Sequence, residues 1–293
     1  MTSEEVAAAV EFDAAGFIPG VDESITQLQQ RVEKTHQIQR KFAEQLASEP
    51  EVLLFDTFAV GTRDIIAPEL LEEAAGVTNE LYGFEVRHVP GFYLKRGMGM
   101  FWGGCMIGDP DSGFSVFMLR DAFRKKRKFL NYQRDELLAH ELCHSARQEL
   151  HECMLEEYFA YRTSNSALRR YLGNCFIYDT DAWGVVISAL LLPVSETVRA
   201  LWMPEFPVWI CWMLAAVYPL WLLCRNAWSR HWVKRSYRAV AAAGAIKPWA
   251  VLFRCTFREL RELAGCKPDR VLELVRSKSK DSLRWAVIAK RFF

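Results

Sequence analysis

The chain has 293 residues, 51% of them hydrophobic, and its 37 basic and 36 acidic side chains leave a net charge of +1. That length supports one large core or two smaller ones, and the charge balance excludes the strong basic excess of a nucleic-acid binder. Eight cysteines with no CxxC pair among them suit a reducing compartment.

Residues 1–50 are expected to form an N-terminal helical segment. The opening stretch, MTSEEVAAAVEFDAAGF, is acidic and has no basic residues ahead of its small apolar run. It therefore does not read as a secretory signal, and the catalytic region is expected to stay on the cytosolic side. Ser24 to Ser48 follows as an amphipathic helix, with Ile25, Leu28, Val32, Phe42 and Leu46 near helical spacing and Ser24 as N-cap. From Glu51 the texture changes. VLLF is a short apolar run, Pro68 to Gly83 reads as helix, and Phe84 to Leu119 predicts several short strands separated by PG, GG and DPDSG turns. The strand Gly113 to Asp121 is expected either as plain core or as a sheet edge able to hold an extended peptide. The basic run Arg124 to Lys128 reads as a solvated face or as a contact for anionic headgroups. Arg134 to about Glu149 is a strong helix without Gly or Pro.

Two apolar stretches come next. Phe206 to Cys224 is 19 residues without a charge, enough at ~1.5 Å per residue to span most of a bilayer core of roughly 30 Å. Ala182 to Ser195 is shorter, at 14 residues, and is expected either to span or to be re-entrant. All but one of the tryptophans lie from Trp183 onward, in keeping with headgroup-level anchors. Arg162, Arg169 and Arg170 precede the pair, and Arg225, Arg230, Lys234, Arg235 and Arg238 follow it. The positive-inside rule then puts both flanks in the cytoplasm. The remainder reads as a basic helical tail, with a helix start at Lys267 in KPDR.

The chemistry is carried by HELCH, residues 140–144. Helical residues four apart lie one turn above each other, so His140 and His144 face one ion while Glu141 lies beside them. In such sites the imidazoles hold zinc, which acidifies a water, and the glutamate takes the proton and later passes it to the leaving amine. A third ligand is needed. The metzincin pattern does not supply it, because His151 falls seven residues after His144 and Arg147 occupies the position of that motif's glycine. The acidic pair Glu156 and Glu157 is the better source. Cys143 faces away from the two histidines and reads as core, while Tyr158, Tyr161 and His151 are candidate donors to an oxyanion.

HELCH followed by EYFAY, residues 157–161, resembles the gluzincin metallopeptidases, and distantly the membrane-bound members related to the CAAX prenyl proteases. That resemblance implies Glu157 as third ligand and Ala160 as the small residue that lets two helices approach. Only 12 residues separate His144 from Glu157, and Tyr161 stands where that family has aspartate. On one straight helix Glu157 would lie roughly 20 Å beyond His144, so the chain must turn back, which is expected between Glu149 and Cys153. Glu156 is then expected to point elsewhere.

The expected fold is α+β: a zincin-like catalytic domain over 51–175 with a small mixed sheet and the HExxH helix, a hydrophobic transmembrane helical hairpin over 176–228, and a basic helical tail over 229–293. The expected function is membrane-anchored, zinc-dependent peptide-bond hydrolysis on the cytoplasmic side, with a peptide or protein substrate, membrane lipid as a partner and no nucleic acid. His140, His144 and Glu157 would hold Zn2+, and Glu141 would be the catalytic residue. The alternatives are a membrane interaction or scaffold protein with a non-catalytic HExxH site, and hydrolysis of a non-peptide amide or ester.

Overall fold

The computed structural model describes all residues except 56, 96–102, 110–113 and 130–131; the expected turn at residues 109–113 falls largely outside that set. Helix α1 (Ser3–Ala14) opens with a capping box between Thr2 and Glu5, and α2 (Ile25–Ser48) does so between Ser24 and Gln27. In each the cap hydroxyl accepts an otherwise orphaned backbone N–H. A hairpin of β1 (Val52–Leu54) and β2 (Phe58–Val60) leads into α3 (Pro68–Tyr82), which starts on proline and ends at Gly83 with φ 72°. Proline fits the first helical turn, and glycine carries no Cβ penalty in the left-handed region.

The strands β3 (Gly91–Leu94), β4 (Gly104–Asp109) and β5 (Phe114–Arg120) form a mixed sheet in the order β3-β5-β4, parallel on one side of β5 and antiparallel on the other. Of the two expectations for the strand ahead of the HELCH helix, the plain core strand holds: β5 is central, and β4 is an edge. Phe114 to Leu119 are all buried, the continuous pattern of a strand covered on both faces. A short helix, α4 (Ala122–Lys125), and a ribbon of β6 (Lys128–Phe129) and β7 (Tyr132–Gln133) complete this part. Arg124 of the basic run pairs with Asp64 and Asp121, and Arg127 pairs with Glu73 and Asp135.

Seven helices precede or form the hairpin and its surroundings after this ribbon: α5 (Arg134–Arg147), α6 (Glu156–Ala160), α7 (Ala167–Leu172), α8 (Asp179–Leu201), α9 (Val208–Ala242), α10 (Pro248–Phe253) and α11 (Phe257–Ala264). Helices α12 (Pro268–Asp281) and α13 (Leu283–Phe292) close the chain. The main core joins α3, β5, α5 and α6 to the second half of α9 and to α10–α13, through residues such as Phe84, Leu142, Phe159, Val233, Phe253 and Trp285. The C-terminal helices thus share a core with the HELCH helix. Asp13 of α1, fully buried, pairs with the equally buried Arg254 at 2.8 Å and with Arg291, which ties the two ends of the chain together.

Helices α8 and α9 are both long and apolar enough to cross a membrane. The first apolar segment is longer than its 14-residue run: α8 has 23 residues and continues through Pro193, about 34 Å in all. Helix α9 continues 35 residues through Pro219, and its environment changes near Arg225. Beyond that point Asn226, Ser229, Val233, Ser236 and Val240 are buried at alternating spacings of three and four, a stripe that packs on α11; the Ser236 hydroxyl donates to the carbonyl of Leu260. Before it, Trp209, Trp212, Met213, Val217 and Leu220 are exposed, as are Trp183, Ile187, Leu190 and Val194 on α8. At the base of the hairpin Arg225 pairs with Asp181 at 2.6 Å and donates to the carbonyl of Cys175, while the Tyr218 hydroxyl reaches Asp181 at 3.1 Å. Gly184 lets Tyr218 in, since a Cβ there would lie 2.2 Å from its ring.

Candidate metal centre

Helix α5 is sided. Leu137, Leu138, Leu142, Cys143 and Ala146 are buried in the core, so His140, Glu141 and His144 are left on the face that looks toward α6 and β4. At its start, buried Glu136 accepts from the Ser164 hydroxyl, the Asn165 amide and the Arg169 guanidinium, which pins the segment after α6 against α5. At its end, fully buried Arg147 donates to the carbonyl of Phe253 and packs over the rings of Phe159 and Phe253. The chain then turns back without glycine or proline. A 3-10 turn at Gln148–Leu150 ends at His151, which takes the left-handed conformation itself at φ 48°, uncommon for a residue with a Cβ. Helix α6 is anchored by buried Tyr158, Phe159 and Ala160, and the Tyr82 hydroxyl donates to the Phe159 carbonyl at 2.8 Å.

This turn brings His140, His144 and Glu157 together. The two Nε2 atoms lie 3.2 Å apart, Glu157 Oε2 is 3.7 Å from His140 Nε2, and Glu157 Oε1 is 3.4 Å from His144 Nε2. Tetrahedral ligands at zinc distances stand about 3.3–3.6 Å from each other, and one ligand atom from each of the three residues lies within 4.8 Å of the others. Among the described residues they are the group of three His, Cys, Asp or Glu side chains close enough to share an ion. The other candidates for the third position lie elsewhere. Glu152 accepts from the amides of Met154 and Phe257, and His151 is exposed on the turn.

Glu156 does not point away from the histidines, which corrects an expectation. Its Oε2 is 3.5 Å from His144 Nδ1, and its Oε1 accepts from Arg147 Nε at 2.8 Å. The carbonyl of Ala160 hydrogen-bonds His140. His144 is therefore oriented through a contact other than its Nε2, the arrangement that holds a metal-binding histidine in one tautomer. Glu141 lies beside the pair and accepts the Met106 amide of β4 at 3.0 Å. Of the three suggested oxyanion donors, only Tyr161 borders the centre, its ring 4.6 Å edge-on from that of His140. Tyr158 is buried beside Arg230.

The buried imidazoles and carboxyls of this cluster perturb one another. Burial raises the Glu141 carboxyl, with the neighbouring Glu157 charge adding to it and the Met106 amide opposing. Burial also disfavours the Glu156 carboxylate, but Arg147 and His144 hold it below the usual range. The two imidazoles diverge. Burial, then the charges of His144 and Arg169, keeps His140 neutral, whereas His144, though buried, is pushed up to about 10 by its bonds to Glu156 and Glu157. A proton on His144 thus offsets part of the negative charge gathered by Glu141, Glu156 and Glu157. Tyr161 is raised to about 12 by burial and by Glu157.

Sequence reasoning did not single out Arg147, Met106, Tyr161's contact with His140, or the Glu156 bridge. Arg147 and Glu156 are nine residues apart across a turn that has no sequence signature, and a backbone amide carries none at all. No family model, curated protein or solved structure matches the chain.

Proposed function

We propose that the chain is a membrane-anchored zinc peptidase whose centre is His140, His144 and Glu157. The observation that supports this most is the gathering of His140, His144 and Glu157, whose ligand atoms all lie within 4.8 Å of one another, with Glu141 alongside and positioned by a strand amide. A bound zinc ion would supply Lewis-acid activation of a water molecule near neutral pH. Glu141, with its raised carboxyl, is suited to accept a proton from that water and return it to a leaving amine. Glu156, backed by Arg147, keeps His144 oriented. Tyr161 offers a hydroxyl toward a developing oxyanion. The edge strand β4, whose Met106 amide holds Glu141, offers backbone groups to an extended peptide. Helices α8 and α9 would anchor the centre, with the arginine-rich flanks at Arg169, Arg170, Arg225 and Arg230 facing the cytoplasm.

Metal analysis of the purified full-length chain tests the reading, together with hydrolysis of an unfolded protein substrate. About one zinc per chain is expected, lost in Glu157→Ala along with hydrolysis. A wild-type chain that binds no zinc would sink the hydrolase reading and leave a membrane scaffold in its place.

A further inference from the structure

Outside α8, α9 and their connection, half of the exposed large apolar side chains among the described residues fall in one place. Leu168, Tyr171, Leu172, Phe176 and Tyr178 are all exposed, Leu168 at 67%, within the eleven residues that lead into α8. Leu168, Tyr171 and Leu172 lie at spacings of three and four, on one face of α7. The polarity of this short helix is inverted relative to a surface helix in water. Its apolar face looks outward, while Arg169 turns inward to Glu136 at 3.1 Å and Arg170 donates to the carbonyl of Ser164 at 2.7 Å. Contiguous exposed apolar surface of this kind marks a binding face.

We infer that residues 167–178 form a membrane-surface anchor that lies in the headgroup layer beside the two spanning helices. This rests on the membrane part of the proposed function. Continuity identifies the occupant as lipid: Phe176 and Tyr178 run directly into α8, whose Trp183, Ile187 and Leu190 prolong the same exposed apolar surface. The segment is held to α9 at the level where that helix turns from apolar to basic. Asn174 donates to the Ser229 hydroxyl at 3.1 Å, Asn226 donates to the Tyr171 carbonyl at 2.7 Å, and Arg230 donates to the Arg170 carbonyl. Aromatic side chains mixed with arginines at the end of a span are the composition of the membrane–water interface.

The anchor also reaches the metal centre. Gly173 sits so close to Tyr161 that a Cβ would meet its ring at 2.1 Å, and the other side of that ring packs on His140. One side chain thus separates the anchor from the first imidazole. The centre is set at the bilayer surface, within reach of a polypeptide that emerges from or lies on the membrane.

The test places a diazirine-bearing amino acid at position 168, 176, 190 or 53 of the full-length chain in vesicles of phosphatidylcholine and phosphatidylserine. Adducts are identified by mass spectrometry after illumination, which needs neither zinc nor hydrolysis. Lipid adducts at 168 and 176 are expected at yields near that of 190 and several-fold above that of 53, an exposed position on β1. Adducts at 190 with only the level of 53 at 168 and 176 would overturn the anchor while leaving the hairpin in the bilayer. Failure at 190 as well would overturn the membrane reading and the anchor with it. Adducts to protein in place of lipid at 168 and 176 would assign the face to another partner and overturn the inference.

Discussion

The region around α5 and α6 and the hairpin of α8 and α9 sort polarity in opposite senses. Around α5, leucines and alanine are inside and the charges that are buried come with partners: Glu136 with Arg169, Arg147 with Glu156, Asp13 with Arg254. In the hairpin, Trp183, Leu190, Trp212 and Val217 face out; on α8 the polar side chains Asp181, Ser188 and Ser195 are the buried ones, and on the apolar half of α9 Val208, Ala215 and Leu222 are. Burying an unpaired charge is costly in either setting, so both regions pair Asp or Glu with Arg inside. What differs is the solvent that each outer surface satisfies. The pattern around α5 suits water, and the pattern of the hairpin suits hydrocarbon.

Substitutions on the two surfaces test this difference. The largest effect is expected from Glu141→Gln, which leaves zinc content unchanged while hydrolysis falls by roughly 10²–10⁴, the usual worth of a general base. Loss of zinc in this variant would show that Glu141 ligates, and near-wild-type turnover would remove it from the mechanism. Leu190 and Leu53 are similarly exposed, at 54% and 57%, which makes them a matched pair. Leu190→Arg should lower membrane insertion by about 2.5–3.5 kcal/mol if α8 spans. Leu53→Arg should change unfolding free energy by no more than about 0.5 kcal/mol. Equal and small effects on glycosylation-tag insertion and on stability would mean that the two surfaces meet the same solvent.

In the water-facing region, His88 stacks on Phe17 with ring centroids 4.1 Å apart, and burial, aided by His36 and Arg31, lowers it from 6.5 to about 4. Between those values the unfolded chain binds the proton and the folded chain does not. Its contribution is therefore fully present above 6.5 and is lost as pH falls toward 4, by up to about 3 kcal/mol. Denaturant titrations across that window should show a slope in the wild type that is reduced in His88→Phe. Identical slopes would remove His88 from the acid response. A smaller effect on the metal centre than that of Glu141→Gln is expected for Glu156→Gln, which loosens His144 and strands part of Arg147. Zinc affinity measured by competition with a chelator should fall about 10- to 100-fold, the usual cost of losing a partner of a metal-binding histidine. A drop as large as that of Glu157→Ala would make Glu156 a ligand in its own right.

Much of the local structure was legible before the fold was seen. Capping chemistry at Ser24, proline at Pro68 with glycine at Gly83, and the KPDR start at Pro268 mark helix ends through backbone groups that neighbouring residues must satisfy. The i, i+4 spacing of His140 and His144 needs only a helix. The turn near His151 was legible only as a demand, because Glu157 could not share an ion along one straight helix.

Local sequence was enough for α2, α3 and α5, for the apolar character of α8 and α9, for the pairing of the two histidines on one face and for the nearness of an acidic pair in the chain, since each depends on neighbours within a few turns. Only the tertiary structure decided that β5 is central and β4 the edge, because strand order depends on which faces other elements cover. It alone decided that Glu157 meets the Nε2 atoms while Glu156 takes the far side of His144, since a left-handed His151 and the buried Arg147 aim α6. The C-terminal helices fell in the same way. Their composition reads as a basic tail, yet their apolar faces close the core behind the HELCH helix, and long-range packing of that kind leaves no local sequence signal.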